Sequence, residues 1–152
     1  MTGVFLSYAR ADHALAEQVV RGLRRIGVEV WWDEDLPGVD WRQELERELD
    51  SILALVVLWT TNSIRSQSTR DEARLGLRRE RLVNVLVGVT SPPFPFDRFN
   101  GLSVDGWDGR EPHPGWSRLI QTIEALTVDS CSRRLCNSEG NSMLDGCNCF
   151  SI

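Results

Sequence analysis

Few residue types in this chain are suited to catalysis, and the residue types that are missing exclude several kinds of catalytic site. All 17 basic residues are arginine, which excludes Schiff-base chemistry and the lysine of a Walker-type phosphate site. The two histidines, His13 and His113, belong to no serine or cysteine nucleophile motif. Carboxylates remain. One of them, Glu72, falls among small residues in the segment SQSTRDEARLG (66–76).

Glu72 lies just inside a helix that the sequence predicts to begin near Gln67. A carboxylate in the first turns of a helix is usually a solvated charge that interacts favourably with the positive end of the helix dipole. Considered alone, Glu72 is therefore more easily interpreted as structural than as catalytic. A chemical role depends on what the fold brings near it.

The cysteines are confined to the C-terminal segment, at positions Cys131, Cys136, Cys147 and Cys149. Their spacing matches no standard zinc module, so no metal site is predicted. A body of the protein without cysteine suits a reducing compartment.

The composition is typical of one globular domain, with 152 residues, 41% hydrophobic and 26% charged. A net charge of -5 gives no electrostatic reason to expect a nucleic-acid partner. The longest apolar run, residues 52–59, is too short to cross a bilayer. The N-terminal segment also lacks the marks of a secretory signal. We therefore expect a cytoplasmic protein without a membrane partner.

Hydrophobic periodicity divides the chain into alternating strands and helices. Short apolar runs predict strands at residues 3–8, 28–32, 53–59, 81–89 and 102–104. Apolar stripes at helical spacing predict helices at residues 12–26, from residue 41 to about residue 52, at residues 67–79 and around residues 116–126. Asp12 is the predicted N-cap of the first helix, and Gly27 ends it.

This alternation predicts an α/β fold, a flavodoxin-like doubly wound sheet of five parallel strands with helices on both faces. The domain is expected to occupy residues 1–129. Residues 130–152 are rich in cysteine, serine and asparagine without periodicity, and are expected to form a disordered tail. Ligands of such sheets bind at the carboxyl ends of the strands, which include residues 8–10, 33–41 and 60–66.

Two common versions of this fold lack their chemical markers here. A dinucleotide-binding Rossmann domain needs G-x-G-x-x-G after its first strand, where this chain has YARAD. A domain similar to response-regulator receivers needs an acidic pair after the first strand and a lysine after the fifth. The chain has neither.

Three segments instead resemble the Toll/interleukin-1 receptor (TIR) domain. They are FLSYAR with Asp12, DEDLPGVDW leading into the second helix, and VVLWTTNSIRSQSTRDE. Each is a weak signal alone, but their order and spacing are specific, and the resemblance runs from about residue 3 to residue 129. It is closest to bacterial TIR domains, which commonly cleave NAD+. It implies a TIR fold in which residues 33–41 form the family's BB loop.

In NAD+-cleaving members a glutamate on the third helix is essential, and Glu72 occupies the matching position, so the resemblance implies that it is catalytic. The chemistry is compatible with a single carboxylate. NAD+ already carries a cationic pyridinium leaving group, so no general acid is needed, unlike ordinary glycoside hydrolysis. A carboxylate that contacts the ribose hydroxyls and stabilises the developing oxocarbenium charge suffices. No metal or cofactor is expected, and NAD+ enters as the substrate.

The resemblance also implies the substrate-binding residues. Ala9 and Arg10 match positions where the family lines its nucleotide pocket, and Arg10 would contact phosphate. Leu36 and Pro37 lie in the BB loop, where the family covers the nicotinamide. Trp41 offers an aromatic surface, although it also heads the apolar stripe of its helix.

One residue departs from the family pattern. Many NAD+-cleaving relatives carry a tryptophan four residues before the glutamate, one turn away on the same face of the helix. This chain has Ser68 there. An aromatic wall would then have to come from elsewhere, with Trp59 or Trp107 as candidates.

Two functions of different classes follow from the resemblance. The first is an NAD+ glycohydrolase that yields nicotinamide and ADP-ribose or a cyclic variant. It would be activated by self-assembly of TIR domains into a homo-oligomer or filament, in bacterial antiphage signalling, with a separate sensor protein as a candidate trigger. The second is a non-enzymatic scaffold or adaptor that signals by homotypic TIR–TIR contacts, and Ser68 favours it.

Overall fold

The computed structural model describes residues 3–33, 38, 40–98, 101–110 and 112–138. Five strands lie within them: β1 (Val4–Ser7), β2 (Val30–Trp31), β3 (Ala54–Trp59), β4 (Leu82–Leu86) and β5 (Leu102–Ser103). Four α-helices follow strands β1, β2, β3 and β5 in turn: α1 (His13–Arg25), α2 (Trp41–Glu48), α3 (Gln67–Arg78) and α4 (Pro114–Ser138).

The strands form one sheet in the order β2-β1-β3-β4-β5, and every pairing is parallel. The predicted doubly wound α/β fold is confirmed. The central strand β3 is buried along its whole length, because helices cover both faces of the sheet. This explains why its sequence, ALVVLW, is continuously apolar and does not alternate.

Side chains of β1 alternate between the two faces of the sheet. Val4 and Leu6 join a core cluster with residues of α1 and α4. Phe5 joins a second cluster with residues of α2 and α3. The alternation puts Ser7 on the same side as Phe5. We refer to the two sides as the α1/α4 face and the α2/α3 face.

On the α1/α4 face, two indole rings close the core. Trp107 and Trp116 stack with their centroids 3.8 Å apart and their planes at 10°. Gly22 of α1 lies against both rings, because a Cβ at this position would come within 2.7 Å of Trp116 and 2.9 Å of Trp107. The absence of a side chain at residue 22 lets α1 lie directly on the stacked pair.

On the α2/α3 face, the largest core residue also makes a polar contact. Trp59 is fully buried, stacks on Phe96 at 5.3 Å and donates its indole N–H to Asn84 Oδ1 at 2.8 Å. Helix α3 approaches β3 closely at Gly76, where a Cβ would come within 2.7 Å of the Leu55 side chain. This close approach brings the inward face of α3 onto the sheet.

Asp12 stands at the N-cap position of α1, as predicted, but its carboxylate makes no capping hydrogen bond. It accepts instead from Thr60 Oγ1 at 2.5 Å and from Asn62 Nδ2 at 2.9 Å. Asp12 therefore ties the segment after β1 to the segment after β3, at the edge where the carboxyl ends of the strands meet.

The last helix is longer than predicted, because α4 runs past Asp129 to Ser138. The first part of the predicted disordered tail is thus helical. An existing helix extends at low cost when the next residues favour helix, and RRL at positions 133–135 does. Residues 139–152 lie outside the described residues, so disorder of that segment stays a prediction, as does the domain boundary at Asp129.

No helix among the residues described above is both long enough and apolar enough to span a membrane.

Candidate functional site

Helix α3 positions Glu72 and begins with a side-chain cap. Ser66 Oγ accepts a hydrogen bond from the backbone N–H of Thr69 at 3.3 Å, which satisfies one of the free donors at the helix start. The buried residues of this helix are spaced as one inward face: Thr69, Glu72, Ala73 and Gly76. Glu72 is only 8% exposed. It therefore occupies a core-facing position and is not the solvated charge that its place in the helix suggested.

The surroundings of Glu72 change its acidity. Burial raises the pKa of Glu72 from 4.5 to about 7, because the charged form loses its hydration. A hydrogen bond donated by Ser7 Oγ to Glu72 Oε2 opposes this rise. Among the nearby charges, Asp33 and Asp71 raise the pKa of Glu72, and Arg42 lowers it. Near neutral pH the side chain thus exists in both the protonated and the ionised form.

Glu72 borders a cleft of about 720 Å³. Residues from the segments that follow β1 and β2 line this cleft together with residues from the first turns of α2 and α3, including Tyr8, Ala9, Arg10, Asp33, Trp41 and Ser68. The cleft therefore lies at the carboxyl ends of parallel strands, where ligands of doubly wound sheets bind. Its volume is in the range usual for small-molecule and cofactor sites.

The structure brings four of the six predicted site residues around this one cleft: Ala9, Arg10, Trp41 and Glu72. Leu36 and Pro37 lie outside the described residues. Gly38 and Asp40, which belong to the same predicted BB loop, do line the cleft.

Arg10 is exposed and begins a short 3-10 turn that leads into α1. Within the part of the chain that the structure describes, its guanidinium takes part in none of the ion pairs. A guanidinium in this position can pair with an anionic group of a ligand.

Trp41 combines the two roles that the sequence left open. Its ring packs against Phe5 of the α2/α3 core, with centroids 5.0 Å apart, and it also lines the cleft. The prediction that Trp59 or Trp107 supplies an aromatic wall of the cleft is wrong. Trp59 is fully enclosed in the α2/α3 core, and Trp107 stacks on Trp116 on the opposite face. Neither ring lines the cleft, because each is packed into a core cluster.

Three polar residues of the site were missed by the sequence analysis. Ser7 holds the Glu72 carboxylate. Tyr8 donates its hydroxyl to Asp33 Oδ1 at 2.5 Å, which joins the segments after β1 and β2. Asp40 caps α2 by accepting from the backbone N–H groups of residues 42 and 43. Only Ser7 could have been noticed in the sequence, because it is a serine at a strand position where alternation predicts an apolar residue.

A contact between α2 and α3 completes the surroundings of Glu72. Arg42 Nη1 lies 3.6 Å from Asp71 Oδ2, and Arg42 also approaches Glu46 at 3.8 Å. Both pairs are partly exposed, so they stabilise the fold only weakly. Their effect on the site is electrostatic, because they keep a positive charge near a buried carboxylate.

A family model described as the TIR domain matches residues 4–120, most of the chain. The chain belongs to the TIR domain family. The fold agrees with solved structures of the same kind. The chain is 16% identical to the TIR domain of the Toll-related receptor TRR-2 from Hydra magnipapillata, with a TM-score of 0.67 over 82% of this chain and 99% of that one.

Two further solved structures also contain a similar fold. A TIR-STING receptor from C. gigas, solved in complex with 2',3'-cGAMP, is 20% identical over 79% of this chain, with a TM-score of 0.67. This TIR domain spans only 38% of that receptor. The TIR domains of the activated Roq1 resistosome, which recognises the pathogen effector XopQ, are 19% identical over 59% of this chain and 60% of that one, with a TM-score of 0.52. At such identities the likeness concerns the fold.

No curated protein gives a significant match to this TIR domain. Across the described residues, no group of three or more histidine, cysteine, aspartate and glutamate side chains is arranged to hold a metal ion. The groups that can act on a ligand at this cleft are the carboxylates of Asp33, Asp40 and Glu72, the Arg10 guanidinium, the Tyr8 phenol, the hydroxyls of Ser66 and Ser68, and the Trp41 indole. That set suits the recognition of hydroxyl and phosphate groups and the stabilisation of positive charge.

Proposed function

We propose that this TIR domain is an NAD+ glycohydrolase that cleaves the bond between nicotinamide and ribose. The observation that carries the proposal is Glu72, a buried carboxylate that borders the cleft at the carboxyl ends of the strands. Burying a charge is unfavourable unless it is paired and hydrogen-bonded, and carboxylates with perturbed pKa values are concentrated at functional sites.

The reaction needs little from the protein beyond this carboxylate. As the glycosidic bond breaks, its electron pair stays on the pyridinium nitrogen, so neutral nicotinamide leaves without a proton. The ribose carbon becomes oxocarbenium-like, and the ionised Glu72 stabilises that positive charge and accepts hydrogen bonds from the ribose hydroxyls. Attack by water then yields ADP-ribose and a proton. Attack by an adenine nitrogen or a ribose hydroxyl of the same molecule yields a cyclic product.

The proposed binding residues act on the rest of the substrate. Arg10 contacts the diphosphate beside Ala9, where a small side chain leaves space for the nucleotide. Trp41 contributes an aromatic wall from the first turn of α2. Leu36 and Pro37, from the loop before α2, cover the nicotinamide.

The protonation state of Glu72 sets the pH dependence of this reaction. Only the ionised form stabilises a cation, and burial raises the pKa of Glu72 to about 7. The value of kcat/KM should therefore rise with pH and reach half of its plateau near pH 7 for the free enzyme.

We further propose that activity depends on assembly of several copies, with NAD+ and other TIR domains as the partners. A separate sensor protein would trigger the assembly inside the cytoplasm, in bacterial antiphage signalling. No added metal or cofactor takes part in this scheme.

The test is nicotinamide release from NAD+ under crowding conditions, measured by chromatography over a range of protein concentrations. Glu72→Gln keeps the size and hydrogen bonding of the side chain but removes its charge. We expect it to lower kcat/KM by at least about 100-fold. Glu124→Gln, an exposed change on the opposite face, is the matched control and should behave as the wild type. Equal NAD+ loss by the wild type and Glu72→Gln would refute the assignment.

A second candidate function is a non-enzymatic scaffold that assembles through homotypic contacts. Ser68 favours it, because this residue lines the cleft at the position where NAD+-cleaving relatives carry a tryptophan. A scaffold would assemble normally, as measured by light scattering, and would leave NAD+ intact at every concentration.

A further inference from the structure

We infer that Ser7 is a positioning residue that holds the Glu72 carboxylate in its reactive orientation. This inference rests on the proposed NAD+ cleavage. Ser7 itself is 1% exposed and does not line the cleft, so it acts on a ligand only through Glu72.

The location of Ser7 is unusual for a polar side chain. It is the last residue of β1, and its register partner on the central strand is Val57. Phe5, two residues earlier on the same side of β1, is an apolar core residue. Alternation thus calls for another apolar residue at position 7, and the chain has a hydroxyl there. That hydroxyl donates to Glu72 Oε2 across the boundary between the sheet and α3.

The contact fixes one of the two carboxylate oxygens. Oε2 accepts the hydrogen bond from Ser7, and the side chain of Glu72 borders the cleft. Oε1 is therefore the oxygen left to meet a ribose. A carboxylate tied at one oxygen loses much of its rotation about the last side-chain bond, so the other oxygen keeps one direction. Preorganisation of this kind is what electrostatic catalysis requires.

The charged groups that face Glu72 cannot replace this contact. Asp33 from the segment after β2 and Asp71 from α3 both disfavour the ionised carboxylate, and Arg42 from α2 favours it. In the part of the chain that is described, none of these three charged residues makes a hydrogen bond to Glu72, whereas Ser7 does. Loss of the Ser7 hydroxyl should therefore raise the pKa of Glu72 further above its usual range and free its orientation.

A purely structural role for Ser7 makes a different prediction. A buried serine that only satisfies a buried carboxylate would, on removal, lower the free energy of unfolding and reduce the amount of folded enzyme. It would leave kcat per folded molecule unchanged at a pH where Glu72 is fully ionised. A positioning residue lowers kcat even there, and lowers it more than it raises KM.

The experiment compares the full-length wild type with Ser7→Ala and Ser7→Thr, which restores a hydroxyl. Ser63→Ala is the matched control, because Ser63 is also a fully buried serine, and its hydroxyl donates to the Leu58 carbonyl instead. Two quantities are measured across pH. One is the titration midpoint of the Glu72 side-chain carboxyl by carbon NMR, assigned by its absence in Glu72→Gln. The other is kcat and KM for nicotinamide release.

We expect Ser7→Ala to raise the midpoint of Glu72 by about 1 pH unit. It should lower kcat at pH 7 by more than about 5-fold, which is the fall in the ionised fraction that this shift alone causes. KM should change much less than kcat. Ser7→Thr should bring both the midpoint and kcat most of the way back to the wild-type values. Ser63→Ala should leave the midpoint unchanged. If Ser7→Ala does not fold, Ser7→Cys, a weaker donor of similar size, should shift the midpoint in the same direction by a smaller amount.

An unchanged midpoint in Ser7→Ala or Ser7→Cys overturns the inference, whatever the activity. A shift of the same size in Ser63→Ala also overturns it, since any loss of a buried serine would then have this effect. A shifted midpoint with no nicotinamide from the wild type has a separate meaning. It refutes the glycohydrolase while leaving the control of Glu72 by Ser7 established.

Discussion

The two faces of the sheet are built from the same strands but differ in the polarity of their buried side chains. On the α1/α4 face, Trp107 and Trp116 stack over alternating aliphatic residues. On the α2/α3 face, the corresponding layer contains a buried serine, a buried asparagine and the carboxylate of Glu72. One face is closed by apolar packing, and the other opens at its edge into a cleft.

The difference between the two faces affects the stability of the fold. Apolar burial stabilises in proportion to the area removed from water, so the α1/α4 face carries much of the fold. A buried carboxylate with a raised pKa destabilises the protein once it ionises. Natural proteins tolerate such residues where function needs them. Removing the Trp116 ring on one face and the Glu72 charge on the other should therefore have opposite effects on stability.

The largest effect is expected on the α1/α4 face. Trp116→Ala removes a fully buried ring that stacks at 3.8 Å on Trp107. Large aromatic-to-alanine changes in cores lower the free energy of unfolding by about 3–5 kcal/mol. Urea denaturation followed by circular dichroism measures this loss. Trp116→Phe, which keeps an aromatic ring, is the control and should lose clearly less. A loss below about 1 kcal/mol for Trp116→Ala would mean that this face does not carry the stability assigned to it.

The next effect has the opposite sign and depends on pH. Burial raises the pKa of Glu72 to about 7, against 4.5 for an unperturbed glutamate. Between these values the folded state binds more protons than the unfolded state, so this contribution to stability is complete below the lower value and lost as pH rises through about 7. Glu72→Gln removes the dependence. It should therefore be more stable than the wild type at pH 8, by up to about 3 kcal/mol, and close to it at pH 4.

Thermal and urea unfolding at both pH values check this prediction. Glu124→Gln, an exposed residue of α4, should show no pH-dependent gain. A Glu72→Gln variant that is destabilised at pH 8 would show that the carboxylate stabilises the α2/α3 face, which would remove the contrast between the faces.

The smallest effect concerns the edge of the cleft. Asp40 caps α2 by accepting from two backbone N–H groups, at 3.1 and 3.4 Å. Asp40→Ala should lower the free energy of unfolding by about 1 kcal/mol, and Asp40→Asn, which keeps the capping oxygen, by only a few tenths. Urea denaturation distinguishes the two variants. Equal losses in both would assign the effect to the charge of Asp40 and not to its cap.

Local rules were enough to predict the order of the elements. Apolar runs and helical stripes identified every strand and helix, because burial on two faces or on one leaves a clear pattern. The errors concern helix ends. Asp12 has the right type and position for a cap, but a contact with Thr60, far away in the chain, takes its carboxylate. The extension of α4 to Ser138 was hidden by a polar composition that also occurs in tails.

The candidate site was harder to predict from sequence. Glu72 looked solvated because the inward face of α3 is marked only by small residues, Ala73 and Gly76, which carry a weak hydrophobic signal. The Ser7 contact joins residues far apart in sequence and depends on the register of β1 against the sheet. Trp59 ends an apolar strand that was predicted to be covered on both faces, so its burial could have been expected, whereas Trp107 follows no such pattern. The resemblance to the TIR family, and not these local patterns, singled out Glu72 as the candidate catalytic residue.

The edges of the sheet limit how copies of this chain can meet. The outer strands, β2 and β5, have only two residues each. Such short edges present few free N–H and C=O groups to a neighbouring strand, so they are poor templates for a continuous sheet that runs through several molecules. If copies of this chain assemble, side chains of loops and helices should hold them together. Such an assembly should dissociate on dilution, unlike a cross-β fibre.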